Sequence, residues 1–391
     1  MHLVIHHIRF CVKDSVEFSL LLRDKLGFSL YGNRKSNNAN CTSGIVLRHN
    51  NITFVIDERN HSANGPSDHL CSGNLSQNVD TVCDICFACT NIPSFFVEHP
   101  QLTKELVVAP VTENHLTDGI VSYAVIKSPI GNLQHTLIDL SKFKGAFLPG
   151  FETYDHQSMN NYFESIDHIA YALNTGRSQN VLKWYRELLG FTRLFINQDD
   201  DEEDGFVVKV GSKGMRLKAA HASVVDHCNT TQDLLYSTPK FVVCESLNAS
   251  AQSDQIGLFL SKHLSEGVQH IAFKTNDIIK SVSHLQSHGL NCISPPNSYY
   301  LNKSKSAEIQ ALKFDKNLLQ SHNVLVESHL RSCASKSDEW FILQCFTRPV
   351  FPEDTLFFEV IQRYQTNSGF GAGNITALWK AVQHDMFKKK C

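Results

Sequence analysis

The feature that most constrains this chain is a pattern that recurs along it. Residues 5–28 contain a short apolar strand with a histidine, a polar break, an amphipathic stretch and then Leu-Gly-Phe, and residues 166–191 repeat this order. A glycine after an amphipathic stretch is typical of a helix that stops before a strand. Similar strand openings begin near residues 82 and 268. The pattern predicts four βα-rich modules arranged in two pairs.

A turn signal separates the two pairs. Pro149-Gly150 ends an apolar segment, and polar residues follow up to about Ser165. A length of 391 residues is enough for two domains. We therefore predict an N-terminal domain over 1–152 and a C-terminal domain over 153–391.

Composition excludes several classes of protein. With 42% hydrophobic and 19% charged residues the chain reads as soluble and globular, and its formal net charge of −3 gives no basic stripe for nucleic acid. Charged residues interrupt the first apolar run, so we predict neither a secretory signal nor an ordinary mitochondrial presequence. The 12 cysteines are scattered, which favours reduced thiols inside a cell. We interpret Cys83-Asp84-Ile85-Cys86 as part of a buried strand rather than a zinc site.

Three potential metal ligands recur at related places in the second pair. His168 and His270 occupy the same position in the opening strands of the third and fourth modules, and Glu359 lies within an apolar strand over 356–363. Two imidazoles and one carboxylate are the facial triad that holds iron(II). Core histidines and a salt-bridged glutamate would give the same pattern, because a buried charge needs a partner. The pattern alone leaves both interpretations open.

The first pair lacks this set. His7 matches His168, but Asp84 stands where His270 has its counterpart. The late strand over 133–140 offers only Asp139 as a carboxylate. We therefore expect the N-terminal domain to bind no metal.

Several longer motifs resemble those of the 4-hydroxyphenylpyruvate dioxygenase family, and most closely its dioxygenase-like and hydroxymandelate synthase branch. The resemblance covers most of the chain, and its most specific parts lie near the C-terminus. The motifs are Tyr123-Ala124-Val125, His135-Thr136-Leu137, Phe147-Leu148-Pro149-Gly150, Asp167-His168-Ile169, Gly267 to Ala272, Pro296 to Tyr300, Leu343 to Thr347, Phe358 to Arg363 and Gly369 to Asn374.

The resemblance implies a fold, a metal and a substrate class. It implies an α+β vicinal-oxygen-chelate fold, with four βαβββ modules forming two half-open barrels and a C-terminal helix that closes the second. It also implies Fe(2+) on His168, His270 and Glu359, with a small α-keto acid and O2 as reactants and no catalytic residue beyond the metal site. By matching position, the substrate-binding residues are Gln255, Gln269, Gln344, Phe346, Phe357, Phe370, Asn374 and Ile375.

Two departures from the family bear on the product. Ile375 stands where the dioxygenase proper has an aromatic residue, and related hydroxymandelate synthases carry an aliphatic one. A smaller wall favours attack on the side chain, giving 4-hydroxymandelate for ubiquinone head-group synthesis, over attack on the ring, giving homogentisate in tyrosine catabolism. The family's pocket Ser and Asn are also missing, with Lys218 near the first and Cys244-Glu245 near the second. An inactive binding or regulatory module on the same fold is a third interpretation.

Location follows from the resemblance alone. It points to the mitochondrion, with peripheral attachment to a membrane surface as one interpretation, and to the cytoplasm as the alternative.

Overall fold

The computed structural model describes residues 2–34, 44–59, 78–154, 161–197, 199–210, 213–223, 238–248, 254–329, 339–366, 369–377 and 379. Its first half contains one β-sheet with two helices. The elements are strands β1 (Val4–Val12), β2 (Ser29–Arg34), β3 (Gly44–His49), β4 (Ile52–Glu58), β5 (Thr81–Ala88), β6 (Val107–Leu116), β7 (Gly119–Lys127), β8 (Gln134–Phe143) and β9 (Phe151–Thr153), and helices α1 (Ser15–Leu26) and α2 (Ile92–Glu98).

The second half contains the other sheet and more helices. Its strands are β10 (Ser165–Leu173), β11 (Phe191–Leu194), β12 (Phe206–Val210), β13 (Lys213–Ala222), β14 (Lys240–Ser246), β15 (Gly267–Lys274), β16 (Leu325–His329), β17 (Trp340–Phe346) and β18 (Phe357–Tyr364). Its helices are α3 (Ser178–Leu189), α4 (Gln255–His263), α5 (Ile278–Ser287), α6 (Asn297–Leu301), α7 (Lys303–Ala311) and α8 (Lys316–Ser321), and residues 372–377 are also helical.

The predicted four-module α+β architecture is confirmed. The modules open with β1, β5, β10 and β15, each within one residue of the predicted start. The strand order is β6-β7-β8-β5-β1-β4-β3-β2-β9 in the first sheet and β11-β13-β14-β10-β15-β18-β17-β16 in the second, with β12 beside β13. Each sheet curls into a half-open barrel around a central antiparallel pair of opening strands, β1 with β5 and β10 with β15.

Local chemistry explains the strand–helix–glycine order of the repeat. The carboxylate of Asp14 accepts a hydrogen bond from the backbone N–H of Glu17 and so caps the start of α1. Helices α1 and α3 end at Gly27 and Gly190, whose φ values of 74° and 68° are costly for any other residue. Glycine at these places therefore turns the chain directly into the next strand.

Apolar residues pack on both sides of the sheets. One large cluster joins the helices to the outer faces of both sheets, as in the aromatic contact between Phe28 and Phe273 across the two halves. A second cluster lines the interior of the second barrel, and a third lines the interior of the first. The apolar interior of each barrel is therefore packed separately from the main core.

Two further predictions concern the domain boundary and the cysteines Cys83 and Cys86. The last strand of the first sheet, β9, spans the predicted domain boundary between 152 and 153. Cys83 and Cys86 lie buried in β5, as predicted. No helix among the described residues is long and apolar enough to cross a bilayer.

Candidate metal centre

The three side chains predicted to bind a metal meet inside the second barrel. Nε2 of His168 lies 3.3 Å from Oε2 of Glu359, and Nε2 of His270 lies 3.4 Å from the same oxygen. The potential ligand atoms of the three residues all lie within 4.8 Å of one another. His168 and Glu359 are buried, and the His270 side chain is 12% exposed. The donor set is therefore compact, largely dry and open on the side of His270.

The register of three neighbouring strands explains why these residues converge. His168 on β10 pairs with Ala272 on β15, and Ala272 pairs with Glu359 on β18. His270 precedes Ala272 by two residues, so its side chain leaves the same face of the sheet. Ala272 is fully buried, and its single methyl group leaves room for the three larger side chains around it.

A β-bulge sets the orientation of His168. The register of β10 shifts between Ile166 and His168, and the neighbours Asp167 and His168 are both buried. Nδ1 of His168 donates a hydrogen bond of 2.8 Å to Oδ1 of Asp167. Because Nδ1 is committed to Asp167, Nε2 is the ring nitrogen that faces Glu359. Burial lowers the pKa of His168, but Glu359 and Asp167 outweigh it and raise the pKa, so His168 must release its Nε2 proton to bind a metal.

A buried arginine holds Asp167 in turn. Arg363 donates from Nε and Nη2 to the two carboxylate oxygens of Asp167 at 2.7 and 2.8 Å, and from Nη1 to the carbonyl of Gly369. Burial raises the pKa of Asp167, but the charges of Arg363 and Lys240 outweigh it and hold the pKa well below its usual range. Asp167 is therefore an anion that fixes the His168 ring.

Sequence reasoning gave no role to Asp167 or Arg363. The available signal was a carboxylate directly before a potential histidine ligand, which is a common way to fix the imidazole. The arginine lies 196 residues further along the chain, and no local pattern indicates that pairing.

A chain of amides orients Glu359. Nε2 of Gln344 donates to Oε1 of Glu359 at 2.9 Å and to the carbonyl of Phe370 at 3.1 Å. Oε1 of Gln344 accepts a hydrogen bond of 2.9 Å from Nδ2 of Asn374, whose own Oδ1 lies 3.1 Å from the Tyr299 hydroxyl. The Gln344 amide thus orients the carboxylate of Glu359, and its role in substrate binding stays a prediction.

The donor set fits a divalent cation. Burial raises the pKa of Glu359, but the two histidines outweigh it and bring the pKa to about 2, so Glu359 is ionised at neutral pH. Burial lowers the pKa of His270, which favours the neutral ring that binds metals. Nδ1 of His270 is buried and has no hydrogen-bond partner among the described residues. Two imidazole nitrogens facing one carboxylate oxygen match the facial-triad ligands.

A small cavity borders the three potential ligands. It has a volume of about 40 Å³, enough for only a few waters. Predicted substrate-binding residues account for half of its wall. Those in the wall are Gln255, Gln269, Gln344, Phe346, Phe357, Phe370 and Ile375.

The remaining predicted residue, Asn374, takes a different place. It is fully buried, lies outside the cavity wall and contacts Gln344. Its position after the glycine-rich turn puts its side chain behind the amide of Gln344. The expected lid falls mostly outside the described residues; the part that is described, 372–377 and Trp379, packs on the inner cluster of the second barrel.

Strand alternation decides which side chains of β13 and β14 face the cavity. Leu217 and Cys244 face each other across β13 and β14 and line the cavity. Lys218 points away and donates from Nζ to Oε1 of Gln179 and to the carbonyl of Glu203. Glu245 also points away and accepts from Arg216. The sequence left open whether Lys218 reaches the cavity; in the structure Leu217 and Cys244 face the cavity instead, so this part of its wall is apolar.

In the first barrel, other residues occupy the positions that correspond to the potential metal ligands. By strand register, Thr136 is the counterpart of Glu359, and its N–H and hydroxyl donate to the carboxylate of Asp84 at 2.9 and 2.6 Å. Arg9, which pairs with Asp84 in the sheet and lies 3.5 Å from Asp57, fills the space that Ala170 leaves open in the second barrel. An ion-pair network thus occupies this interior.

The first barrel nevertheless contains a second cluster of potential ligands. His6, His7 and Cys86 have donor atoms within 4.8 Å of one another. The expected absence of metal from the N-terminal domain therefore stays a prediction.

The chain is similar to several known proteins. Residues 165–316 match the Glyoxalase/Bleomycin resistance protein/Dioxygenase superfamily. A 4-hydroxyphenylpyruvate dioxygenase-like protein of Mus musculus is 31% identical over 87% of this chain and 86% of its own length, and that of Homo sapiens is 30% identical over 96% and 95%.

The chain belongs to the 4-hydroxyphenylpyruvate dioxygenase family.

Other members and a solved structure agree with this assignment. A 4-hydroxyphenylpyruvate dioxygenase of Caenorhabditis briggsae is 28% identical over 98% of this chain and 92% of its own length. A triple variant of 4-hydroxymandelate synthase from Streptomyces coelicolor shares the fold with a TM-score of 0.77 and 24% identity, over 99% of this chain and 100% of that one. The family's vicinal-oxygen-chelate fold is thereby confirmed, and an enzyme of the dioxygenase type is supported.

Proposed function

We propose that the chain is an iron(II)-dependent dioxygenase that converts 4-hydroxyphenylpyruvate and O2 to 4-hydroxymandelate and CO2. The observation that carries the proposal is the convergence of His168, His270 and Glu359 beside an enclosed cavity, in a chain of this family. Iron bound there would supply open positions at which an α-keto acid and O2 meet. The substrate carries its own keto acid group, so no second keto acid is required.

The chain's own residues would orient the metal ligands. Asp167 holds Nε2 of His168 toward the centre, and Gln344 holds Glu359 from the opposite side. Both supports are buried, so neither exchanges its partner for water. Such support fixes ligand direction and metal affinity.

The cavity wall suits an aromatic keto acid. Phe346, Phe357 and Phe370 supply aromatic surface, and the amides of Gln255 and Gln269 supply polar groups beside it. The small free volume excludes bulk water from the reacting groups. The substrate would displace part of this wall on binding.

The choice of 4-hydroxymandelate over homogentisate rests on Ile375. Its side chain lies in the cavity wall together with Met215 and Leu217, so an aliphatic surface borders the space for the substrate. An aliphatic residue leaves the ring free to turn away and the side chain free to approach the metal. A role of the product in ubiquinone head-group synthesis, in the mitochondrion, is part of this proposal.

The test is product analysis after anaerobic loading with iron(II), addition of 4-hydroxyphenylpyruvate and admission of air. The two candidate products have the same elemental composition, so they must be separated by chromatography against standards before mass spectrometry. We expect 4-hydroxymandelate from the wild type, none from His270→Ala, and a shift toward homogentisate in Ile375→Phe. His115→Ala, at an exposed histidine, is the matched control and should behave as the wild type.

Each other outcome has a definite meaning. Homogentisate from the wild type would leave the metal ligands supported and refute the argument from Ile375. Iron binding without turnover of this keto acid would refute the proposed reaction and favour a binding or regulatory module on the same fold.

A further inference from the structure

A larger cavity lies directly beside the candidate metal centre. Its volume is about 530 Å³, within the range of sites that bind small organic molecules. It lies at the junction of the two halves, where Leu21 and Lys25 of α1 face α4 and the segment that precedes β18. We call this cavity the outer chamber.

The outer chamber and the inner cavity share three wall residues. Gln255, Gln269 and Phe357 line both. The ring of Phe357 stacks on His270 with centroids 4.7 Å apart and an interplanar angle of 24°. A single layer of side chains therefore separates the outer chamber from the metal ligands.

The charge of the outer chamber favours an anion. Lys25, Lys262 and Arg348 contribute three positive charges to its wall, whereas Asp354 contributes one negative charge. Nζ of Lys262 lies 2.8 Å from the Asp354 carboxylate, so that pair is internally neutralised. The formal net charge of the wall is +2, and much of the remaining wall is apolar.

A buried hydroxyl marks a point of contact. Thr355 lines the outer chamber and is 3% exposed, and its Oγ1 has no hydrogen-bond partner among the described residues. Buried hydroxyls without a partner are uncommon because burial removes their bonds to water. The oxygen is shielded from the chamber itself, so a bound polar group would supply the missing bond once the wall around Thr355 shifts to admit it.

We propose that the outer chamber is a binding site for a small aromatic carboxylate. The cations meet the carboxylate, the apolar wall meets the ring, and the Thr355 hydroxyl donates to an oxygen of the ligand. A second step rests on the proposed function: the outer chamber receives the keto acid substrate before the substrate passes Phe357 to reach the inner cavity. Binding in the chamber itself requires neither metal nor turnover.

The direct test is calorimetric titration of metal-free protein with 4-hydroxyphenylacetate, which lacks the keto group. We expect one binding site, weakened about fivefold by each of Lys25→Gln and Arg348→Gln. Thr355→Val should weaken binding by about fivefold to tenfold without lowering the melting temperature, because it removes a hydroxyl that has no partner in the empty chamber. Lys183→Gln, on an exposed face of α3, is the charge control and should bind as the wild type.

Contrary results are distinguishable from failure of the proposed reaction. Absence of binding, or binding that is weakened by Ile375→Phe and unchanged by all three chamber variants, would overturn the proposal. If the enzyme turns over, Lys25→Gln should lower kcat/KM at low salt and leave kcat unchanged. An equal fall in kcat would overturn the role in substrate delivery.

Discussion

At the scale of single residues, the candidate metal centre depends on a close approach between backbone and side chain that glycine permits. Gly371 is the clearest case. A Cβ atom at this position would lie 1.8 Å from Oε1 of Gln344, the amide that orients Glu359. Its φ of +70° also places it in the left-handed region. The glycine-rich turn before the last helix therefore serves close packing.

We predict that Gly371→Ala weakens metal binding by about 10- to 100-fold, because the methyl group displaces Gln344 and releases Glu359. The measurement is a competitive titration of iron(II) or cobalt(II). Gly176→Ala is a matched control: its φ is +82° and no heavy atom lies within 4 Å of the added Cβ. Both variants should lose about 1 kcal/mol of stability through backbone strain, and Gly371→Ala should lose more because its methyl group also displaces the buried Gln344. Equal metal affinity in the two would contradict the prediction.

At the scale of secondary-structure elements, the alternation of strand faces separates neighbours into different roles. Leu217 lines the inner cavity, and Lys218 points outward to Gln179. Motif matching alone cannot make this assignment, because a shift of one residue moves a side chain to the other face of the sheet.

We predict that substitution of Lys218 affects stability, whereas substitution of Leu217 affects catalysis. Lys218→Met should lower the free energy of unfolding by about 1–3 kcal/mol through unpaired partners, with kcat/KM unchanged. Leu217→Ala should change kcat/KM by about 10-fold or more, because one wall of the cavity recedes. Denaturant titration and steady-state kinetics on both variants test this. A kinetic defect in Lys218→Met with normal stability would place that side chain in the site after all.

Much of the element order could be predicted from the sequence, and the reason is local. Local sequence is enough to recognise each strand opening and each glycine that ends a helix. The same holds for the potential ligands His168, His270 and Glu359. The supports of the centre could not be predicted, because they join distant segments, as Arg363 joins Asp167 and Asn374 joins Gln344. The outer chamber could not be predicted for the same reason, because its wall combines α1 with segments near residues 290 and 350.

At the scale of the whole molecule, buried polar contacts join the two halves. Nε2 of His135, in the first half, lies 2.8 Å from the hydroxyl of Tyr185 on α3, and Ser128 lies 3.2 Å from the same hydroxyl. Nδ1 of His135 faces the carbonyl of Ile85 and donates to it. The neutral ring thus satisfies both nitrogens, and burial lowers the pKa of His135 to about 4.

This pKa predicts acid sensitivity. Between pH 6.5 and pH 4 the unfolded chain binds a proton at His135 and the folded chain does not, so stability falls as the pH falls through this window. The contribution approaches about 1.4 kcal/mol per pH unit for this group. Urea titrations at pH 7, 6 and 5 should show a shallower pH dependence in His135→Gln than in the wild type. His115→Gln, at an exposed site, should keep the wild-type slope.

The ion-pair network inside the first barrel has a consequence for how the two halves can change over time. A metal centre constrains its surroundings twice, since the same residues must both fold and support chemistry, and such sites commonly trade stability for activity. The proposed reaction uses only the second barrel, so Arg9, Asp84 and Thr136 would carry no such double demand in it. On that proposal, the duplicated architecture lets stabilising substitutions accumulate in the first barrel while the second barrel keeps its chemistry.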